Sequence, residues 1–177
     1  MIYIVVALKT EAQAFIDKYK LKKSKLSNHI IYTNSSITLI ISQLGVINAR
    51  NATQALINQF DITDDDIYLN VGICGAKSSY EIGSLLEIGF IVYEGMTYEF
   101  KKEKKCINCV DEAIDENRYE IVDMESYGFY DAVIHNPAIK NFHILKVVSD
   151  HFEPERVTKE GSKKLIFDVL ASIENIT

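Results

Sequence analysis

Three acidic residues each stand just past an apolar run: Glu11 after Ile2–Leu8, Glu125 after Tyr119–Val122, and Asp150 after Phe142–Val148. Carboxyl groups can divide the work of breaking a glycosidic bond, one assisting the departing group and another handling water around a cation-like sugar. Glu11 falls in the first turn of the helix expected next, where the helix dipole favours a carboxylate; it either steadies that helix end or orients and deprotonates water. Asp123 and Glu125, in Val122-Asp123-Met124-Glu125-Ser126, can accept a pair of sugar hydroxyls, because an ionised carboxylate offers lone pairs and no donors, or Glu125 serves only to place negative charge at the start of a helix. Asp123 suits the N-cap of the same helix. Asp150 either opens a turn or gives a proton to a leaving group, directly or through Ser149, if burial raises its pKa. His29, His135, His143 and His151 are scattered, and only His151 lies near this edge.

These acids meet only if their strands end along one edge of a sheet, the place where open α/β sheets bind ligands. Ile2–Leu8 is a continuous β-branched apolar run, as in a strand buried on both faces. Thr10 and Gln13 have capping-box spacing for a following helix, and Lys20, Lys22, Lys23 and Lys25 read as its solvated end and a loop. His29–Thr33 and Ile37–Ser42 form a hairpin. A helix follows over about 46–60, then a strand Ile67–Val71 running into Gly72-Ile73-Cys74-Gly75, where glycine permits a tight turn or close approach to a ligand. Leu85–Tyr93 is another strand, and 94–118 reads as loop with one short helix. Strand 119–122, helix 124–135, strand 142–149 and helix 158–174 complete the alternation. The pattern predicts a single-domain three-layer α/β/α fold over 1–177 around a mixed, mainly parallel sheet.

At 177 residues, 47% apolar and 25% charged, the chain can bury a sizeable core. A net charge of −6 disfavours nucleic acid and anionic membranes as partners. No stretch reaches the ~18 apolar residues of a spanning helix, so a cytoplasmic protein is expected. Three cysteines, Cys74, Cys106 and Cys109, argue against a disulfide framework. Cys106 and Cys109 have the spacing of half a zinc site, yet no further ligands stand nearby, so no metal and no cofactor is expected; a zinc module is the competing reading.

Five segments in order resemble the nucleoside phosphorylase and nucleosidase superfamily, above all its 5′-methylthioadenosine/S-adenosylhomocysteine nucleosidases. They are Ile4–Ala12, Ser42–Ala49, Asn70–Gly75, Val122–Ser126 and Val147–Asp150, which together span nearly the whole chain. The resemblance implies that Glu11 activates water, that Glu125 and the Met124 backbone hold the ribose hydroxyls, and that Asp150, helped by Ser149, protonates or hydrogen-bonds the leaving purine. It implies that Gly72 and Cys74 line the floor of the pocket. The region between 94 and 118 is shorter than in the family, and Tyr98 or Phe100 stands in for the aromatic residue that stacks on the base. Leu8-Lys9-Thr10-Glu11 replaces the phosphate loop of many phosphorylases, which points to water as acceptor. A phosphorylase and a non-catalytic nucleoside-binding protein are the alternatives. Family members work as homodimers or higher homo-oligomers, and self-association is expected here.

Overall fold

Strand β1 (Ile2–Val6) sends alternate side chains to opposite faces, and both faces are apolar because both are covered. Tyr3 and Val5 belong to one core cluster and Ile4 and Val6 to another. In the computed structural model, which describes residues 1–115 and 118–176, this division runs through the whole sheet. After β1 come α1 (Lys9–Tyr19), β2 (Lys22–Leu26), β3 (His29–Thr33), β4 (Ile37–Ile41) and α2 (Val46–Gln59). Then follow β5 (Ile67–Ala76), β6 (Leu85–Tyr93), β7 (Met96–Glu99), β8 (Lys105–Cys109) and β9 (Ile121–Asp123). The chain closes with α3 (Ser126–Ile134), β10 (Asn141–Asp150) and α4 (Lys159–Glu174).

The centre of the sheet is parallel: β4, β1, β5 and β10 lie side by side in that order and direction. Antiparallel strands flank it, β3 and β2 beyond β4, and β6 beyond β10. Helices α1 and α4 cover one face, with Phe15 and Ile166 in that core; α2 and α3 cover the other, with Leu56 and Phe129. The result is the three-layer α/β/α arrangement with a mixed sheet. No helix among the described residues is long and apolar enough to cross a membrane.

Several boundaries depart from the sequence reading, each for a physical reason. Helix α1 starts at Lys9 with Leu8 as its cap residue, not at Thr10: the Glu11 carboxylate turns back onto the Leu8 N–H and closes the helix end itself. Lys22, Lys23 and Lys25 are not loop but the edge strand β2, where exposed lysines discourage pairing with another chain. Strand β5 does not stop at Val71. It continues through Gly72 and Gly75 to Ala76, carried by pairing with β10 and β9. The 94–118 region holds strands β7 and β8 and, among its described residues, no helix. Strand β9 begins at Ile121 rather than at 119, and α3 starts at Ser126 rather than 124, so Glu125 is the residue just before the helix.

Candidate active site

Strand β1 separates from β5 beyond Val5, which leaves backbone N–H groups at the end of the pair without strand partners. Glu11 fills that gap. Its Oε2 accepts from Ala7 N–H at 3.0 Å and Leu8 N–H at 2.8 Å, and its Oε1 accepts from Ile73 N–H at 3.0 Å. The side chain is only 2% exposed. Burial raises its pKa, against the opposing pull of these three N–H groups and the Lys146 cation. A buried carboxylate so fixed can take a proton from water. Gly72 makes room for it: a Cβ there would sit 3.1 Å from Glu11 Oε1 and 3.5 Å from Lys146 Nζ. Close approach, not a turn, is the use of this glycine.

Lys146 is the residue that the sequence reading passed over. It sits in register with Gly72 on β10, on the same face as Ile144 and Val148, and is fully buried. Its Nζ lies 2.8 Å from Asp123 Oδ2, an ion pair outside good hydrogen-bond alignment. Burial pulls its pKa down, but the carboxylates of Asp123, Glu125 and Glu11 outweigh this and raise it, so the lysine stays charged. The signal was a lone cation inside the apolar run Ile144–Val148.

Asp123 ends β9 and organises the corner that carries Glu125. Its Oδ1 accepts from Ser126 Oγ at 2.6 Å and its Oδ2 from Ser126 N–H at 2.9 Å while it also pairs with Lys146; the N-cap position expected for it belongs to Glu125, and Asp123 steadies the helix start from two residues further back. Glu125 is 6% exposed, and its Oε1 accepts from Gly45 N–H at 3.1 Å. Gly45 has a φ of +100°, which suits glycine and turns that N–H toward the carboxylate. Burial pushes the Glu125 carboxyl up to about 7; Lys146 opposes the rise, and Asp123 and Glu11 add to it. Among the described residues Oε2 has no partner, which leaves it for a ligand.

Asp150 ends β10. Its Oδ2 accepts from Ser149 Oγ at 2.7 Å and its Oδ1 from Glu153 N–H at 2.9 Å. The turn that brings Glu153 back passes through Phe152, buried and left-handed at φ 64°, a backbone that a bulky residue adopts only where its surroundings enforce it. A Cβ on Gly75 would meet Val122 Cγ1 on β9 at 3.2 Å and Asp150 Oδ1 at 3.4 Å, so its tightest neighbour is the strand paired with it rather than the acid.

All three acids open into one cavity of about 520 Å³. Met124, Ser149 and Cys74 line it too, while Gly72 lies behind Glu11. Burial raises the Cys74 thiol, which makes it a wall and not a nucleophile. Tyr98 and Phe100 are elsewhere: they stack in an aromatic cluster with Tyr127, Tyr130 and Phe142 and do not line the cavity. The reason is the pairing of β7 with β6, which draws both rings onto the α3 face. Val110, Ala113 and Ile114, after β8, line the cavity instead. Cys106 is exposed and Cys109 buried, because three residues along a strand point opposite ways. Among the described residues no group of three His, Cys, Asp or Glu could hold a metal ion.

No protein-family model and no curated protein matches the chain. Solved structures do. Futalosine hydrolase of Helicobacter pylori superposes with a TM-score of 0.80 at 15% identity, covering 99% of this chain and 97% of that one. The 5′-methylthioadenosine/S-adenosylhomocysteine nucleosidase of Helicobacter pylori, with butyl-thio-DADMe-Immucillin-A, gives 0.78 at 14% identity, covering 99% and 98%. The 5′-methylthioadenosine nucleosidase of Arabidopsis thaliana gives 0.76 at 16% identity, covering 97% and 95%. From end to end, this chain has the fold of the nucleoside phosphorylase and nucleosidase superfamily.

Proposed function

We propose that the protein hydrolyses the N-glycosidic bond of a purine nucleoside or thionucleoside, releasing the free base and the sugar. The observation that carries this is the opening of Glu11, Glu125 and Asp150 into one cavity, although they stand far apart in the chain. The solved nucleosidases and futalosine hydrolase of the same fold support it.

In this reading each acid has a duty. Asp150, braced by Ser149 and Glu153, delivers a hydrogen bond or proton to the base as the bond breaks. The free Oε2 of Glu125, with the Met124 backbone, accepts the ribose hydroxyls. Glu11, whose pKa burial has raised, takes a proton from the water that attacks C1′. The Lys146 cation keeps Asp123, Glu125 and Glu11 tolerable in so small a volume without itself lining the cavity. A cavity of about 520 Å³ is in the range of small-molecule sites and has room for a nucleoside with a 5′ substituent.

The test is product analysis with methylthioadenosine, S-adenosylhomocysteine, adenosine and inosine, with and without phosphate. The reading predicts free base without phosphate, and a fall in kcat of ~10²–10⁴-fold for Asp150→Asn. Base release only with phosphate supports the phosphorylase alternative. Binding without any release supports the non-catalytic one.

A further inference from the structure

We infer that Asn70 is a positioning residue of this site: its amide nitrogen ties the fork of β1 and β5 that grips Glu11, and its amide oxygen holds the Lys146 ammonium through one buried water. The inference rests on the nucleosidase reading above and adds a residue to it that does not line the cavity. Asn70 interrupts the apolar run Ile67–Val71 and is 1% exposed. Asparagine is a poor strand former, and a buried amide is costly unless its hydrogen bonds are used. A local conflict of this kind calls for a compensating role.

The nitrogen end has its partner. Strands β1 and β5 last pair at Val5 and Asn70. Above that pair Glu11 spans both branches, with Oε2 on the N–H groups of Ala7 and Leu8 and Oε1 on that of Ile73. The separation of the branches therefore decides whether one carboxylate reaches both. At the foot of the fork Asn70 Nδ2 donates to the Val5 carbonyl oxygen at 3.3 Å, a side-chain tie from β5 to β1. Val5 stands two residues before Ala7 and Asn70 three before Ile73, so the tie acts close to the anchors of Glu11 on each branch.

The oxygen end is left over. Asn70 Oδ1 is buried without a hydrogen-bond partner among the described residues, and so is Lys146 Nζ apart from its ion pair with Asp123. The two side chains share a face of the sheet: Asn70 alternates with Tyr68 and Gly72 on β5, Lys146 with Ile144 and Val148 on β10, and Tyr68, Ile144 and Val148 belong to one core. Lys146 is in register with Gly72, one step of roughly 6.6 Å along the strand from Asn70. A spare donor and a spare acceptor at that spacing suit a single water, which accepts from the ammonium and donates to the amide oxygen. Gly72 keeps room beside the ammonium, since a Cβ there would stand 3.5 Å from Nζ. An amide serves better than a carboxylate at position 70, because Asp123, Glu125 and Glu11 already surround this lysine.

The groups facing Lys146 are those three acids and the Cys74 and Cys109 thiols, which burial keeps neutral. The N–H groups of Ala7, Leu8 and Ile73 and the Lys146 cation restrain the Glu11 pKa against its burial, so loosening the fork or the ammonium raises it further. The test compares wild type with Asn70→Leu, similar in shape but without either polar end, and Asn70→Ser, too short to span either bond. Carbon-13 NMR titration of the glutamate carboxyls reads Glu11 directly. Turnover is followed with methylthioadenosine, S-adenosylhomocysteine, adenosine and inosine. The expected result is that Glu11 titrates at higher pH in both variants, kcat falls at least about tenfold, and KM changes by less than about threefold. In wild type, the Lys146 ammonium and the Asn70 amide show NMR cross-peaks to one long-lived water. A merely structural Asn70 lowers the melting temperature but leaves the Glu11 titration and the kcat of the folded protein unchanged, which overturns the proposal. So does a wild type in which neither group reports a bound water, a result that requires no variant to fold. A bound water and a shifted Glu11 titration without base release from any of the four compounds uphold the placement of Asn70 and defeat the nucleosidase reading. Base release with Glu11 and kcat unmoved in the variants does the reverse.

Discussion

Taking an ammonium group out of water is costly, so a fully buried lysine has to be held by acids, and those acids in turn come to depend on it. Lys146 stands in that relation to Asp123, Glu125 and Glu11. Replacing it by methionine keeps the bulk and removes the charge, leaving Asp123 buried without its cation. Lys146→Met is therefore expected to destabilise the fold by ~3–5 kcal/mol in denaturant unfolding, the cost of breaking a buried pair from one side. The Glu125 carboxyl, at about 7, gives activity a pH signature. If the ionised form accepts the ribose hydroxyls, kcat/KM rises with pH as Glu125 loses its proton near 7 and levels off above. Glu125→Gln abolishes that limb along with most of the activity, as pH–rate profiles of the two proteins will show. The acids were legible in the sequence because each stands within three residues of the end of an apolar run. Lys146 was visible too, as a cation within Ile144–Val148, but one strand cannot say which distant acids surround its side chain.

At the scale of elements, the site depends on strands and helices coming unusually close. Gly128 lets α3 lie against α2: a Cβ there would be 2.0 Å from the Val46 carbonyl oxygen. Because that contact is with backbone, Gly128→Ala is expected to force the helices apart and cost ~3 kcal/mol of stability, read from the shift in denaturation midpoint. Gly72→Ala is gentler and more local. Its Cβ presses Glu11 Oε1 at 3.1 Å, so turnover should fall roughly tenfold while the melting temperature changes little. Helices α2 and α4 were readable to within a residue because one-sided apolar spacing over three or more turns is a strong signal. Strands β2, β7 and β8 were not. They are short, β2 and β7 are largely exposed, and pairing with a neighbour rather than their own composition makes all three strands. The same pairing carried Tyr98 and Phe100 away from the cavity, an outcome no local pattern encodes.

For the whole molecule, one sheet forms the floor of both apolar layers, so neither layer survives loss of the other. A single cooperative unfolding transition is expected, with fluorescence and circular dichroism tracing the same curve. Its pH dependence follows from the buried acids. The Glu125 and Glu11 carboxyls are raised above their ordinary 4.5, so the fold holds their protons more tightly than the unfolded chain does. Their contribution to stability is complete below about 4.5 and is lost as pH rises through their folded values, for Glu125 near 7. Glu87 works in the other sense. Lys101, Lys104 and His143 overcome its burial and hold it at about 2, so its contribution is present above 4.5 and disappears only in strong acid. The melting temperature should therefore fall between pH 5 and 8, and fall less in Glu125→Gln. Beneath all of this lies the claim that water, prepared at Glu11, is the group that replaces the base. Turnover of a purine nucleoside in ¹⁸O-labelled water, in phosphate-free buffer, tests it most directly: the account predicts free base with one labelled oxygen on C1 of the released sugar. A sugar phosphate formed only on adding phosphate, or no base at all from any purine nucleoside, would contradict it.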